Sequence, residues 1–447
     1  DVEYTPDNVT DAVNRAAANY DEARSELVAI EKYARNNEKA PLLKSTVEGL
    51  LTIAWNSRDT ARVIDTFHFI LTRRAQQKAA ITAAVHMCMG YINTLKDEKD
   101  FKGYEELTKS VCQETEGKVF VDLERARIVK DYALFLESSN HLTEATELMQ
   151  TMHIETFTSL DKKERIDFLI IQLRILLKCK DYVRSLIIAN KVNLTTIQGE
   201  GFELQRIQYC KLMIDYNIHQ KDYLDCCRKL LMIYNTLTEM KPEQAAELKE
   251  EPFIGEFQYC HNIEVTLKLA VMFILAAEFI PEKKDMLTII HDNRQLEEYP
   301  KYQEAVRLFL TEEIINCATI LPLYTGLFKE DCCRYIEINQ EDINTHLELQ
   351  IIQHNIRVVA KYYHTITLER FAELLSITTD ILEKQICKAV NEHQIYAKID
   401  RPKKVVTFVK PKDPKEVLQT WSSDIDVLLS IVNDTCFLIE TEEMVHA

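Results

Sequence analysis

The chain has 447 residues, 46% of them apolar, which suffices for a substantial core, but its 8 glycines leave little material for phosphate-cradling loops. A formal net charge of −17 opposes a nucleic-acid binder, whose affinity comes from cations meeting phosphates, and reads instead as solubility. Twelve cysteines occur without one CxxC spacing, so they read as reduced thiols in helix interiors rather than as a disulfide framework.

The opening DVEYTPDNVT lacks a basic stretch followed by an apolar one and does not read as a secretory leader. Further along, SRDTARVIDTF, EKDFKGYEEL, CKDYVRSLII and QKDYLDCCRKLL resemble one another. Each sets an aspartate before a helix start, at Asp59, Asp100, Asp181 and Asp222. Asp59 and Asp100 lie 41 residues apart, as do Asp181 and Asp222; His141 in SSNHLTEATELM fills the longer gap between the pairs. Aspartate at such a place accepts backbone N–H bonds and favours the positive end of the helix dipole. A period near 40 residues marks stacked helical hairpins, because a single hairpin cannot bury its apolar face. Residues 1–237 are therefore expected to form an α-solenoid of TPR- or HEAT-like helical hairpins.

TEMKPEQAAELKEEPFIGEF, residues 238–257, breaks the period with prolines and charges and reads as an acidic loop or linker. The run LAVMFILAA at 269–277, closed by Lys268 and Glu278, is too short for a bilayer and reads as a buried core helix. Helical patterning continues through YQEAVRLFLTEEIINCATI and HLELQIIQHNIRVVAKYYHTI, the latter spanning 346–366.

Next comes a change of period. TLERFAELL, with Thr367 as its N-cap, is followed by DILEKQICKAVNEH, where Asp380 and Glu383 have capping-box spacing. In residues 394–408, QIYAKIDRPKKVVTF, apolar Ile395, Ala397 and Ile399 alternate with polar neighbours. The basic turn Arg401-Pro402-Lys403-Lys404 and Val405, Val406, Thr407, Phe408 and Val409 complete a β-hairpin. Two helices, a turn and a two-stranded ribbon make a winged helix over 346–410, a helix-turn-helix variant. The last helix would be the groove reader of a DNA-binding version. Its outer face, Glu383, Lys384, Lys388, Asn391 and Glu392, nearly cancels in charge, and only the wing tip at Arg401, Lys403 and Lys404 is basic. That footprint is weak for DNA.

After Pro411 and Pro414, Leu418, Trp421, Ile425, Leu428, Val432, Thr435 and Ile439 step by alternating threes and fours, a coiled-coil seam. Val427, Leu429, Ile431, Phe437 and Leu438 extend the apolar surface beyond it. Such a helix is expected to be surrounded, inserted at 413–447 into a bundle made with other subunits.

Catalytic constellations are not legible. There is no GxxxxGK[ST] loop, no HExxH or HxH, and no GxSxG elbow; GEG at 199–201 lacks the rest of a dinucleotide fingerprint. A Cys-His pair assembled in space is the one enzymatic arrangement the sequence leaves open, and no local signature marks it. The expectation is a protein that is not an enzyme, with no cofactor and no metal.

An α-solenoid running into a winged helix resembles the PCI family, named for its occurrence in the proteasome lid, the COP9 signalosome and translation initiation factor 3. The resemblance covers the whole chain and is densest from about 340 onward. The AKID segment, the PKDP linker, Trp421 and the ending at Glu442, Glu443, Met444 and His446 resemble the end of a proteasome lid subunit. The resemblance implies a PCI domain over 258–412, helical to about 345. It implies a non-catalytic scaffold in the lid of the 26S regulatory particle, serving ubiquitin-dependent degradation as part of a hetero-oligomer in cytoplasm and nucleus. The implied partners are other PCI subunits, a neighbouring deubiquitinating subunit, the ATPase ring and the core particle, with no nucleic acid and no membrane. In such assemblies winged helices extend each other's sheets. An open edge on the ribbon would then set Val405, Thr407 and Val409, or their alternates, against a neighbour. The seam residues Leu418, Trp421, Ile425, Leu428, Val432 and Ile439 would enter the bundle. The equivalent subunit of the signalosome or of the translation factor is the alternative within the family. A winged-helix nucleic-acid-binding regulator is the alternative outside it.

Overall fold

The computed structural model describes residues 6–15, 20–37, 39–74, 76–98, 100–154, 157, 160–240, 257–316, 320–322, 324, 326, 340–410 and 413–446. The described residues are mostly helical and fall into two compact units. One is built from residues up to Gln220, the other from Lys221–Glu239 together with residues from 257 onward. The expected linker at 238–257 lies, from 241 to 256, outside the described residues.

In the first unit, helices α1 (Pro6–Arg15) and α2 (Tyr20–Asn36) lead into four antiparallel pairs. These are α3 (Ala40–Asn56) with α4 (Thr60–Thr72), α5 (Lys78–Glu98) with α6 (Phe101–Glu114), α7 (Asp122–Ser138) with α8 (Leu142–Gln150), and α9 (Lys162–Lys178) with α10 (Tyr182–Lys191). The short α11 (Leu194–Ile197) and α12 (Glu203–Gln220) follow. The repeating aspartates are caps, as their spacing suggests. Asp59 accepts from Ala61 N at 3.1 Å, Asp100 from Gly103 N at 3.3 Å and Asp181 from Arg184 N at 3.2 Å. His141 stands at the same place in the fold but makes no side-chain cap bond. Arg58, Asn140 and Lys180, each just before its marker, have φ of 50°, 63° and 60°. At Asp59 and Asp181 the connection is thus one left-handed residue followed by one cap, and it turns the chain back within three residues.

Successive pairs stack first helix on first helix: α3 on α5, α5 on α7, α7 on α9 and α9 on α12. Trp55 stacks on Tyr91 with ring centroids 4.3 Å apart, and Tyr104 meets Phe135 at 4.9 Å. The apolar core therefore runs unbroken from Val9 to Ile175. This is a solenoid, stabilised by nearest-neighbour burial.

The second unit begins with α13 (Tyr223–Glu239), whose Asp222 accepts from Asp225 N at 3.3 Å behind a left-handed Lys221. It packs on α14 (Ile263–Ala276), in which every residue from Leu269 to Ala276 is buried, as the apolar run predicts. No helix among the described residues is long and apolar enough to cross a membrane. Then come α15 (Pro281–His291), α16 (Pro300–Leu310) and α17 (Gln340–Tyr362), the last leading into the winged helix.

That module is β1 (Thr365–Thr367), α18 (Leu368–Leu375), α19 (Thr379–Asn391), β2 (Lys398–Asp400) and β3 (Val405–Thr407). Its sheet has three strands in the order β1-β3-β2, all antiparallel, with Val406 opposite both Ile366 and Ile399. Those three side chains face a core containing Ile356, Phe371, Leu382 and Ile386. Thr367 caps α18 as expected, accepting from Arg370 N at 3.4 Å. The capping box expected at Asp380 does not form. The N-cap is Thr378, two residues before Asp380, and Glu383 turns outward to Arg401.

Candidate functional site: the wing and the terminal helix

Two places in the second unit gather the residues singled out in the sequence. The first is the wing. A two-stranded ribbon would have left one side of β3 open, but β1 occupies it. Thr365–Thr367 pair with Thr407–Val405, so β3 is the central strand and the outer strands are β1 and β2. The expected open edge along Val405 and Thr407 is therefore corrected: β3 has a strand paired on each side of it. Their side chains remain half-buried on the face opposite Val406, and Val409, just past the strand, is exposed. An open groove of about 830 Å³ runs between α19 and β2, with Ile386, Val390, Ala397 and Ile399 on its apolar side and Lys398, Asp400 and Arg401 along its rim.

The cations of the wing tip are held by carboxylates of their own module. Arg401 donates to Glu383 Oε1 through Nε at 2.8 Å, Lys404 Nζ to Glu369 Oε1 at 2.9 Å, and Lys403 lies 3.9 Å from Asp400. The ion pair holds Glu369 below its ordinary range and raises Lys404, each through the shared hydrogen bond. On α19, Lys388 reaches Glu278 at 2.9 Å and Glu392 at 3.5 Å. The surface that would face a phosphate backbone thus carries mostly compensated charge.

A brace beneath the wing had no signature in the sequence. Lys283, fully enclosed, donates to the Ala277 carbonyl at 2.6 Å at the end of α14. Burial pushes its ammonium down to about 7. Arg357 on α17 stacks on Phe279 at 3.7 Å and donates to Gln394 Oε1 at 3.0 Å. With Lys388 on Glu278, residues 277–279 are gripped from α15, α17 and α19, and the helical part of this unit is joined to the wing.

The second place is α20 (Pro414–His446), 33 residues long. Leu418, Trp421, Ile425, Leu428, Val432 and Ile439 are all exposed, Trp421 at 63%, and so are Val427, Leu429, Ile431, Phe437 and Leu438. Among its described side chains none is buried. An α-helix that presents this much apolar surface to water lacks the burial that normally stabilises it.

Cys88, Cys112, Cys179, Cys227, Cys387 and Cys436 are free thiols, and among the described residues no cluster of histidine, cysteine and carboxylate groups could hold a metal ion. Burial pushes the thiols of Cys112 and Cys227 up to about 12 and that of Cys88 higher still, which keeps them protonated and poor nucleophiles.

Family comparisons match three stretches of the chain. Residues 22–241 match a family model described as PSMD12/CSN4, N-terminal; 332–410 match the PCI domain; 415–447 match the 26S proteasome regulatory subunit RPN5 C-terminal domain. The chain is 30% identical to the 26S proteasome non-ATPase regulatory subunit 12 of Dictyostelium discoideum, over 95% of this chain and 90% of that one. It is 29% identical to homolog A of the same subunit from Arabidopsis thaliana, over 92% and 95% of the two chains. With the 26S proteasome regulatory subunit RPN5 of Saccharomyces cerevisiae the identity is 26%, over 95% and 91%. By its solenoid, its PCI winged helix, its terminal helix and these near full-length matches, the chain belongs to the 26S proteasome non-ATPase regulatory subunit 12 family.

Proposed function

We propose that the chain is a non-catalytic scaffold subunit of the lid of the 26S proteasome regulatory particle, in cytoplasm and nucleus, supporting ubiquitin-dependent degradation. The observation that carries this reading is α20, whose apolar residues are exposed along its whole length in the isolated chain. A helix of that kind gains its burial in a bundle with other subunits. The working division is a solenoid at 1–237, a linker at 238–257, a PCI domain at 258–412 and a bundle helix at 413–447.

The wing supplies a second contact. Its outer strand β2, beside the groove, offers backbone groups to a neighbouring PCI subunit, and Val405, Thr407 and Val409 offer the outer face of the sheet. The solenoid then positions the lid, with a deubiquitinating neighbour, against the ATPase ring and core particle. Proteolysis and ubiquitin removal belong to other chains in this reading.

The test is a tagged pull-down from lysate at physiological salt, with the full chain and with residues 415–447 deleted, followed by native mass spectrometry. A large assembly containing proteasome subunits, lost on truncation, is the expected result. A lone monomer, or an assembly indifferent to the truncation, would overturn the role given to α20. Recovery of signalosome subunits in place of proteasome ones would favour the counterpart within the family, since the amino-terminal family model bears both names.

A further inference from the structure

The first unit holds a cavity of about 280 Å³ between α6, α7 and α8 that the assembly reading leaves without a role. Its walls are apolar, formed by Val129, Leu136 and Leu148. Arg125 lines it with only 7% of its surface exposed. The Arg125 Nε is buried with no hydrogen-bond partner, and among the described residues no carboxylate forms an ion pair with this guanidinium. Asp122 and the Cys112 thiol feel its charge, but neither is bonded to it. A buried N–H donor without an acceptor is costly, and such groups in folded proteins are normally paired.

The mouth has the opposite sign. Glu116, Glu144 and Glu147 stand exposed at the rim, opposed by Lys109 alone. A multivalent anion such as a phosphate or a nucleic-acid strand would meet that acidic rim before reaching the cation. A single carboxylate on a flexible side chain, carried by a segment with basic residues on both sides, satisfies the floor and the rim together. The volume, below that of a drug-sized pocket, suits one such side chain with its apolar neighbours.

We propose that this cavity is a docking site for a partner protein segment that inserts one acidic side chain onto Arg125, with its flanking basic residues on Glu116, Glu144 and Glu147. The site lies in the other compact unit from the wing and the terminal helix, so it stands apart from the lid reading.

The test uses the full chain and a capped, fluorescently labelled nonapeptide with one central glutamate between leucines and two lysines at each end, alongside its glutamine counterpart. The glutamate peptide is expected to bind about tenfold tighter, the worth of one charge-assisted hydrogen bond. Arg125→Met should remove that preference and leave Tm unchanged or raised, because it deletes a buried donor that has no acceptor. Leu148→Trp, which fills the cavity while keeping Arg125, should weaken both peptides. Equal affinity for the two peptides, a preference that survives Arg125→Met, or a fall in Tm on that substitution would each overturn the proposal.

Discussion

Arg401 at the tip of the wing donates through Nε to Glu383 Oε1 at 2.8 Å, so the turn is tied to the outer face of α19. In a groove-reading winged helix both groups would face phosphate, and the cation would be free. Here the carboxylate already satisfies it. Replacing Arg401, Lys403 and Lys404 together with alanine is therefore expected to leave duplex-DNA binding at 0.15 M salt unchanged, at the weak non-specific level of roughly 10⁻⁴ to 10⁻⁶ M. Fluorescence anisotropy would check it, and a steep, salt-dependent loss of affinity in the triple variant would contradict it.

Much of this could be read in the sequence, for identifiable reasons. The caps Asp59, Asp100, Asp181 and Asp222 were legible because a carboxylate before a helix has one dominant use. The left-handed residues ahead of them were not, since Arg58, Lys180 and Lys221 have no preference for that conformation. The seam from Leu418 to Ile439 was legible as a pattern, but the same pattern suits a helix packed on its own domain, and the sequence does not carry the exposure that these residues have. The ribbon at 398–407 was found by alternation. Its third strand, Thr-Ile-Thr at 365–367, is too short for alternation to register, and missing it put the open edge on the wrong strand. Lys283, Arg357 and Arg125 are single cations whose burial no periodicity announces.

The exposure of α20 separates stability from assembly. Leu428 is 61% exposed, so Leu428→Asp should change the unfolding free energy of the free chain by no more than about 0.5 kcal/mol. The same substitution at the centre of the seam should prevent recovery of the large assembly in the pull-down. A marked loss of stability in the free chain would mean that the helix packs at home.

Two glycines in neighbouring helices should respond with opposite sign. A Cβ on Gly103 would lie 2.8 Å from Asp100 Oδ2 and 2.9 Å from Thr60 Cγ2, displacing the cap of α6 and crowding α4. Gly103→Ala should destabilise by roughly 1–2 kcal/mol, overpacking and cap loss exceeding the gain in helix propensity. Gly90 sits inside α5 with nothing near its missing Cβ, so Gly90→Ala should stabilise by about 0.5–1 kcal/mol. Denaturant midpoints of the two variants against the parent would decide, and equal signs would refute the packing account.

His354 should make the second unit sensitive to acid. It is 7% exposed, sits beside the Phe309 ring at 5.5 Å, and its Nε2 lies 3.3 Å from the Glu313 carbonyl. Burial first, and then the charges of Arg357 and Lys283, bring its pKa from 6.5 down to about 4, the Glu313 carbonyl and Glu312 only partly opposing them. The unfolded chain therefore takes up a proton near pH 6.5 that the folded one refuses until about pH 4. The stability contribution is full above pH 6.5 and is lost as pH falls toward 4, with a limiting slope of about 1.4 kcal/mol per pH unit. His354→Gln keeps a donor for the Glu313 carbonyl and cannot titrate. Its stability should run parallel to the parent's above pH 7 and fall less steeply between pH 6.5 and 4. Urea midpoints across that range measure the difference, and curves parallel throughout would mean that His354 is solvated enough to titrate normally.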